Sequence, residues 1–111
     1  MSVVKINAIT PAEGAEERLE ARFGDRVREV EGMEGFEGFE LLRPVKGETR
    51  YYVYTRWRSE EDFERWVNSD AFKRGHAQSN GGDPVATHAT LLAFEVVEWP
   101  VQQALDERTM A

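Results

Sequence analysis

In RYYVYTRWRSEEDFERW, residues 50–66, two kinds of secondary structure meet with almost no linker between them. Arg50 to Arg58 is rich in Tyr, Val, Thr and Trp, the residue types that suit a pleated, half-buried strand. Ser59 then stands where a helix N-cap belongs, and Asp62, three residues on, imitates the acidic partner of a capping box. The helix that follows carries Phe63, Trp66 and Val67 on one face. Upstream, Val45-Lys46-Gly47-Glu48 reads as a hairpin loop, and Phe36 to Arg43, closed by Pro44, as the preceding strand. Downstream, Asn68-Ser69-Asp70 has the composition of a helix break followed by a new cap. A short helical piece is expected from Ala71 to about His76, then a Gly-rich loop from Gln78 to Pro84. The last strand runs from Ala89 to Trp99, where Pro100 stops it.

At the N-terminal end, Val3 to Ile9 reads as a strand, with Thr10 or Pro11 opening a helix. Ala15, Leu19, Phe23, Val27 and Val30 form an apolar stripe at helical spacing, ended by Gly32 and Gly35. The order is therefore β-α-β-β-α-β, the split βαβ or ferredoxin-like α+β arrangement, with an antiparallel sheet. Residues 1–100 are expected to form one domain and residues 101–111 a loosely held tail. The third and fourth strands present apolar side chains on both faces: Tyr51, Val53 and Trp57 against Tyr52 and Tyr54, and Leu91 and Ala93 against Leu92 and Phe94. Two helices cover one face only, so the pattern predicts a homodimer with sheets packed face to face, a dimeric α+β barrel.

A chain of 111 residues holds one core and one pocket, and has no room for a separate nucleotide-binding domain. A redox enzyme of this size would take its electrons from outside. The 14 basic and 21 acidic residues give a net charge of −7, which argues against nucleic acid or an anionic membrane as the main partner. The absence of cysteine removes disulfides, thiolate nucleophiles and iron–sulfur clusters together. MSVVKINAIT has no basic leader and no stretch approaches the ~20 apolar residues of a membrane span, so a cytoplasmic protein is expected.

Three residues stand out as candidates for chemistry. Asn7 lies mid-strand, where Asn is disfavoured, on the same face as Lys5 and Ile9; a buried amide there is either satisfied within the protein or presented to a ligand. Trp66 reads as core packing or as the wall of a cavity. His76 ends a helical piece with a polar loop after it, a place from which a ring nitrogen reaches a pocket. Trp66 and His76 are ten residues apart (76 − 66), about 80° on a straight helix, an offset that a break at residues 68–70 would remove. His88 has nothing near it that sets it apart from a surface histidine. There is no Ser/His/Asp set, paired-carboxylate constellation or phosphate-binding glycine loop.

VVKINAIT (3–10), GFEGFELLRPVKGE (35–48), RYYVYTRWRSEEDFERW (50–66) and DPVATHATLLAFEVVEW (83–99) resemble the IsdG/MhuD-type haem-degrading monooxygenases, within the antibiotic-biosynthesis-monooxygenase superfamily of dimeric ferredoxin-like domains. The resemblance covers roughly residues 2–99 and is closest to the mycobacterial branch, although WVNSDAFKRGH (66–76), including the unusual Gly75, has the staphylococcal-type spacing. It implies that His76 ligates the haem iron proximally, that Asn7 donates a hydrogen bond near dioxygen on the distal side, and that Trp66 presses the porphyrin out of plane. Arg22 and Phe23 match the family's helix-1 pair, as pocket wall and as partner of ring or propionate. Arg26, one turn further, is another cofactor-binding candidate; Lys73 and Arg74 read as propionate contacts or as solvated charge. Haem would be both cofactor and substrate, with O2 and electrons from an external reductase. Two other readings stay open on the residues: a cofactor-free monooxygenase acting on an aromatic or quinol substrate, and a haem-binding dimer without catalysis.

Overall fold

The computed structural model describes residues 1–70, 72 and 86–98 of the 111-residue chain. The elements follow the expected order: β1 (Val3–Pro11), α1 (Glu16–Val30), β2 (Phe36–Leu42), β3 (Tyr51–Trp57), α2 (Glu60–Val67) and β4 (Ala86–Glu95). The four strands form one antiparallel sheet in the order β2-β3-β1-β4, the ferredoxin-like topology. β1 is central, pairing Asn7 with Val53 on one side and with Leu91 on the other.

Period-two alternation divides each strand between two faces. Val3, Lys5, Asn7 and Ile9 point toward the helices, together with Tyr51, Val53, Thr55 and Trp57 of β3. Under α1, Ile9, Leu19, Phe23, Tyr51 and Val53 pack as one cluster; at the other end Val3, Val30 and Trp57 form a second, against which Phe36, Phe63 and Trp66 lie. Trp57, completely buried, receives the rings of Phe36 and Phe63 edge-on at 5.6 and 6.0 Å. The apolar stripe of α1 thus does what its spacing predicts. Its start differs: β1 continues through Pro11, after a register shift at Thr10/Pro11, and a turn from Ala12 to Ala15 precedes the helix. Proline, lacking an N–H, is tolerated at that irregular strand end and opens no helix here.

Ser59 caps α2 as its sequence predicts. Its hydroxyl oxygen accepts from the Asp62 N–H at 3.2 Å, and the hydroxyl donates to the Asp62 carboxylate at 2.7 Å. That buried carboxylate also takes a two-nitrogen grip from Arg58 (3.0 Å each) and a bond from Arg65 at 2.7 Å. α2 ends at Val67; Asn68 Nδ2 donates to the Glu64 carbonyl, and Ser69 Oγ accepts from the Phe72 N–H, so the expected break and new cap are both present. The residues of the loop at 78–84, and those of the tail at 101–111, lie outside the described residues. β4 begins at Ala86, three residues earlier than the sequence suggests, and includes His88. No helix among the described residues is long and apolar enough to cross a membrane.

Candidate functional site

Between the two helices and the inward face of the sheet lies a cavity with about 100 Å³ of interior space, open to solvent on one side. Its lining, mostly apolar with a few polar groups, has the character of a small-molecule site. The sheet supplies its floor with Lys5, Asn7, Val53 and Thr55. α1 supplies Phe23, Arg26 and Val30 as one wall, and α2 supplies Phe63 and Trp66 as the other. Leu91 of β4, though apolar, is more than half exposed at the rim. The wall residues recur at helical spacing, i, i+3 and i+7 on α1 and i, i+3 on α2, so one face of each helix lines the space.

Asn7 sits on that floor at the centre of the sheet. Its backbone is held by both neighbouring strands, and among the described residues none hydrogen-bonds its side-chain amide. The sequence leaves two readings for this amide, and the structure shows it open to the cavity. Thr55 is different. Its hydroxyl donates to the Lys5 carbonyl at 3.0 Å and accepts from the Trp57 indole N–H at 3.0 Å, so its polar capacity is spent within the protein.

Trp66 stands in the last turn of α2 and faces the cavity half-buried, its ring meeting Phe72 edge-on at 5.5 Å. It is both packing and cavity wall. Phe23 is buried, with the Arg26 guanidinium over its ring at 5.0 Å. Burial pushes the Arg26 pKa down from its ordinary value, and the neighbouring Arg22 charge adds to that. The Glu29 carboxylate acts in the opposite direction. Arg22 itself is half-buried on α1 and is not among the residues lining the cavity; it bears on the site through its charge beside Arg26. His76, with Lys73 and Arg74, lies outside the described residues. His88 is exposed in β4 opposite Thr10, on the sheet face away from the helices, and takes no part in the cavity.

The family resemblance assigns Asn7, Arg22, Phe23, Arg26, Trp66 and His76 to one site; of these, Asn7, Phe23, Arg26 and Trp66 line the cavity, Arg22 does not, and His76 lies outside the described residues. Sequence reasoning misses Lys5 and Phe63 as members of the same site. Lys5 shares Asn7's face by strand alternation, which was a signal in the sequence. Its partner, Glu60, is 55 residues away, which was not.

The family model of the antibiotic biosynthesis monooxygenases matches residues 2–78. The chain is 55% identical over 97 residues to the heme oxygenase (mycobilin-producing) of Mycobacterium tuberculosis strain H37Rv, covering 87% of this chain and 90% of that protein. A structure of the heme-degrader MhuD from Mycobacterium tuberculosis with two hemes bound in its active site superposes with a TM-score of 0.74 at 52% identity, covering 88% of this chain and 98% of the other. An MhuD variant with two manganese protoporphyrin IX molecules per active site gives 0.78 at 51% identity, covering 88% of this chain and 97% of the other. An inward-facing strand amide and a helix-borne indole across one apolar cavity, in a chain so similar to these enzymes over most of its length, place this protein in the antibiotic biosynthesis monooxygenase family.

Proposed function

We propose that this chain is a haem-degrading monooxygenase that opens the porphyrin ring with O2 and external electrons and releases iron. The observation that carries this reading is the apolar cavity itself, with Trp66 on its wall and on its floor the Asn7 amide, to which none of the described residues hydrogen-bonds. The relatives supply the substrate class. The lining fits such a ligand: Phe23, Val30, Phe63 and Trp66 offer faces to a flat macrocycle, while Arg26 at the rim offers charge to its carboxylates. Bound haem brings the iron at which dioxygen is activated and the ring that is opened. The protein's own groups then have separate tasks. His76 would hold the iron with a neutral ring nitrogen. Asn7 would donate a hydrogen bond to the bound substrate from the cavity floor. Trp66 would press on the macrocycle, and Phe23 would keep water from it. Arg22 supports Arg26 in attracting the propionates. Electrons come from a separate reductase. The active unit is a homodimer, joined through the sheet face that the helices leave open.

Titration with haemin tests the reading. The parent protein should shift the Soret band at micromolar haemin and lose it on addition of ascorbate in air. An unchanged Soret band would favour the cofactor-free monooxygenase, and a stable shifted band a binder without catalysis. His76→Ala should displace the Soret maximum and abolish turnover. Asn7→Ala should keep haemin bound and slow ring opening about a hundredfold or more, the usual cost of removing one hydrogen-bond donor aimed at developing charge. His88→Ala should behave as the parent.

A further inference from the structure

Of the described lysines, Lys46 is exposed and Lys5 is buried. A buried ammonium in a small domain needs a reason, because burying a charge costs free energy that its partner only offsets. Lys5 leaves β1 on the helix-facing side, two residues before Asn7. Its Nζ reaches both carboxylate oxygens of Glu60, at 3.0 and 2.7 Å, and stands 4.9 Å from the centre of the Phe63 ring. Glu60, Phe63 and Trp66 follow one another at i, i+3 and i+6, along one side of α2. Lys5 therefore grips the first two members of a row whose third member is the cavity wall. Its own backbone is anchored by the chain from the Trp57 indole through the Thr55 hydroxyl to the Lys5 carbonyl.

α2 has other fastenings besides this grip. α2 is already capped by Ser59 and fastened through Asp62 to Arg58 and Arg65. Those contacts hold the helix to its own N-terminal approach and to Glu34, on the β2–β3 side of the sheet. Toward β1, the strand that carries Asn7, α2 has the packing of Phe63 and Trp66 on the cluster that includes Val3, and, among the described residues, Lys5 adds the ion pair to Glu60. Lys5 also lines both the cavity and an outer cleft beside Glu60, Ala93 and Phe94.

We propose that Lys5 is a positioning residue: through Glu60 and Phe63 it sets the gap between α2 and β1, and so the separation of Trp66 from Asn7. Its consequence for porphyrin binding rests on the haem reading above; the strut itself does not. The test uses Lys5→Met, Glu60→Gln, Lys5→Arg and the double variant Lys5→Met/Glu60→Gln, all in a Trp99→Phe background. Trp57 is completely buried, so acrylamide quenching there reports Trp66. Quenching should rise in Lys5→Met and Glu60→Gln, rise no further in the double variant, and return to the parent value in Lys5→Arg, which keeps both the ion pair and the cation–ring contact. The haemin dissociation constant should rise about threefold to tenfold in the same variants and recover in Lys5→Arg. Unchanged quenching in folded Lys5→Met overturns the proposal. If Lys5→Met fails to fold, Glu60→Gln, altered at a half-exposed carboxylate, decides it in the same way. If the parent binds no haemin, the haem reading fails, and quenching still decides the strut.

Discussion

Gly35 has φ +81°, and a Cβ there would overlap the Asp62 carboxylate. Its carbonyl meanwhile accepts from the Arg58 N–H at 2.7 Å. Backbone conformation and close approach both demand glycine, so Gly35→Ala should cost more than about 1 kcal/mol in chemical denaturation. Gly24 gives the opposite case. It lies inside α1 with nothing within 4 Å of an added Cβ, so Gly24→Ala should stabilise by about 0.5–1 kcal/mol. Equal effects of the two substitutions would contradict this account. The sequence places Gly35 at the end of α1 but does not reveal its contact with Asp62, because the two come together only when β2 and α2 are both in place. Asn7 shows the same limit. Strand periodicity puts it beside Lys5, but whether its amide is used up by a neighbour depends on residues far away in the chain.

At the level of elements, local chemistry was most legible where a period or a cap is strong. The α1 stripe and the Ser59 cap are such signals, and both appear in the structure. The start of α1 was not legible, because Thr10-Pro11 carries the composition of a helix opening while a longer β1, paired with β4, takes those residues instead. The joint at α2 has a pH signature. Hydrogen bonds from Arg58 foremost, then Ser59 and Arg65, lower the Asp62 pKa from 3.8 to about 2. Glu20, held by Arg43 and then by Tyr51, is lowered from 4.5 to about 2. Both carboxylates ionise more readily in the folded state. Their contribution to stability is complete above the unfolded values and is lost as pH falls through the folded ones. The thermal midpoint should therefore hold above about pH 5 and fall progressively toward pH 2. Asp62→Asn should lower the midpoint at neutral pH and flatten part of that acid slope, as followed by circular dichroism. Curves that stay parallel from pH 2 to 6 would assign the acid loss elsewhere.

At the scale of the whole molecule, β1 works on both of its faces. Lys5 and Asn7 look into the cavity, while Val4, Ile6 and Ala8 look the other way, beside Tyr52 and Tyr54 of β3 and Leu92 and Phe94 of β4. Among the described residues no element crosses that outer face, and Phe94 and Leu42 stand exposed on it. An apolar sheet face of this extent calls for a second sheet, and the two-fold packing of identical copies is the commonest way to provide one. The structure also settles which substitution addresses it. Val53 lines the cavity floor, so a charge there would attack the site and the core together. Tyr54 pairs with Ile6 in the middle of the open face, and Tyr52 is engaged with Glu48 at 2.6 Å nearer the loop. Tyr54→Glu would bury an unpaired carboxylate between the two sheets while leaving the helix-facing core untouched. At micromolar concentration the parent should sediment at twice the chain mass of 12.7 kDa, and Tyr54→Glu near the single-chain mass with its far-ultraviolet dichroism retained. A parent that sediments as a single chain would show that the face is covered in some other way.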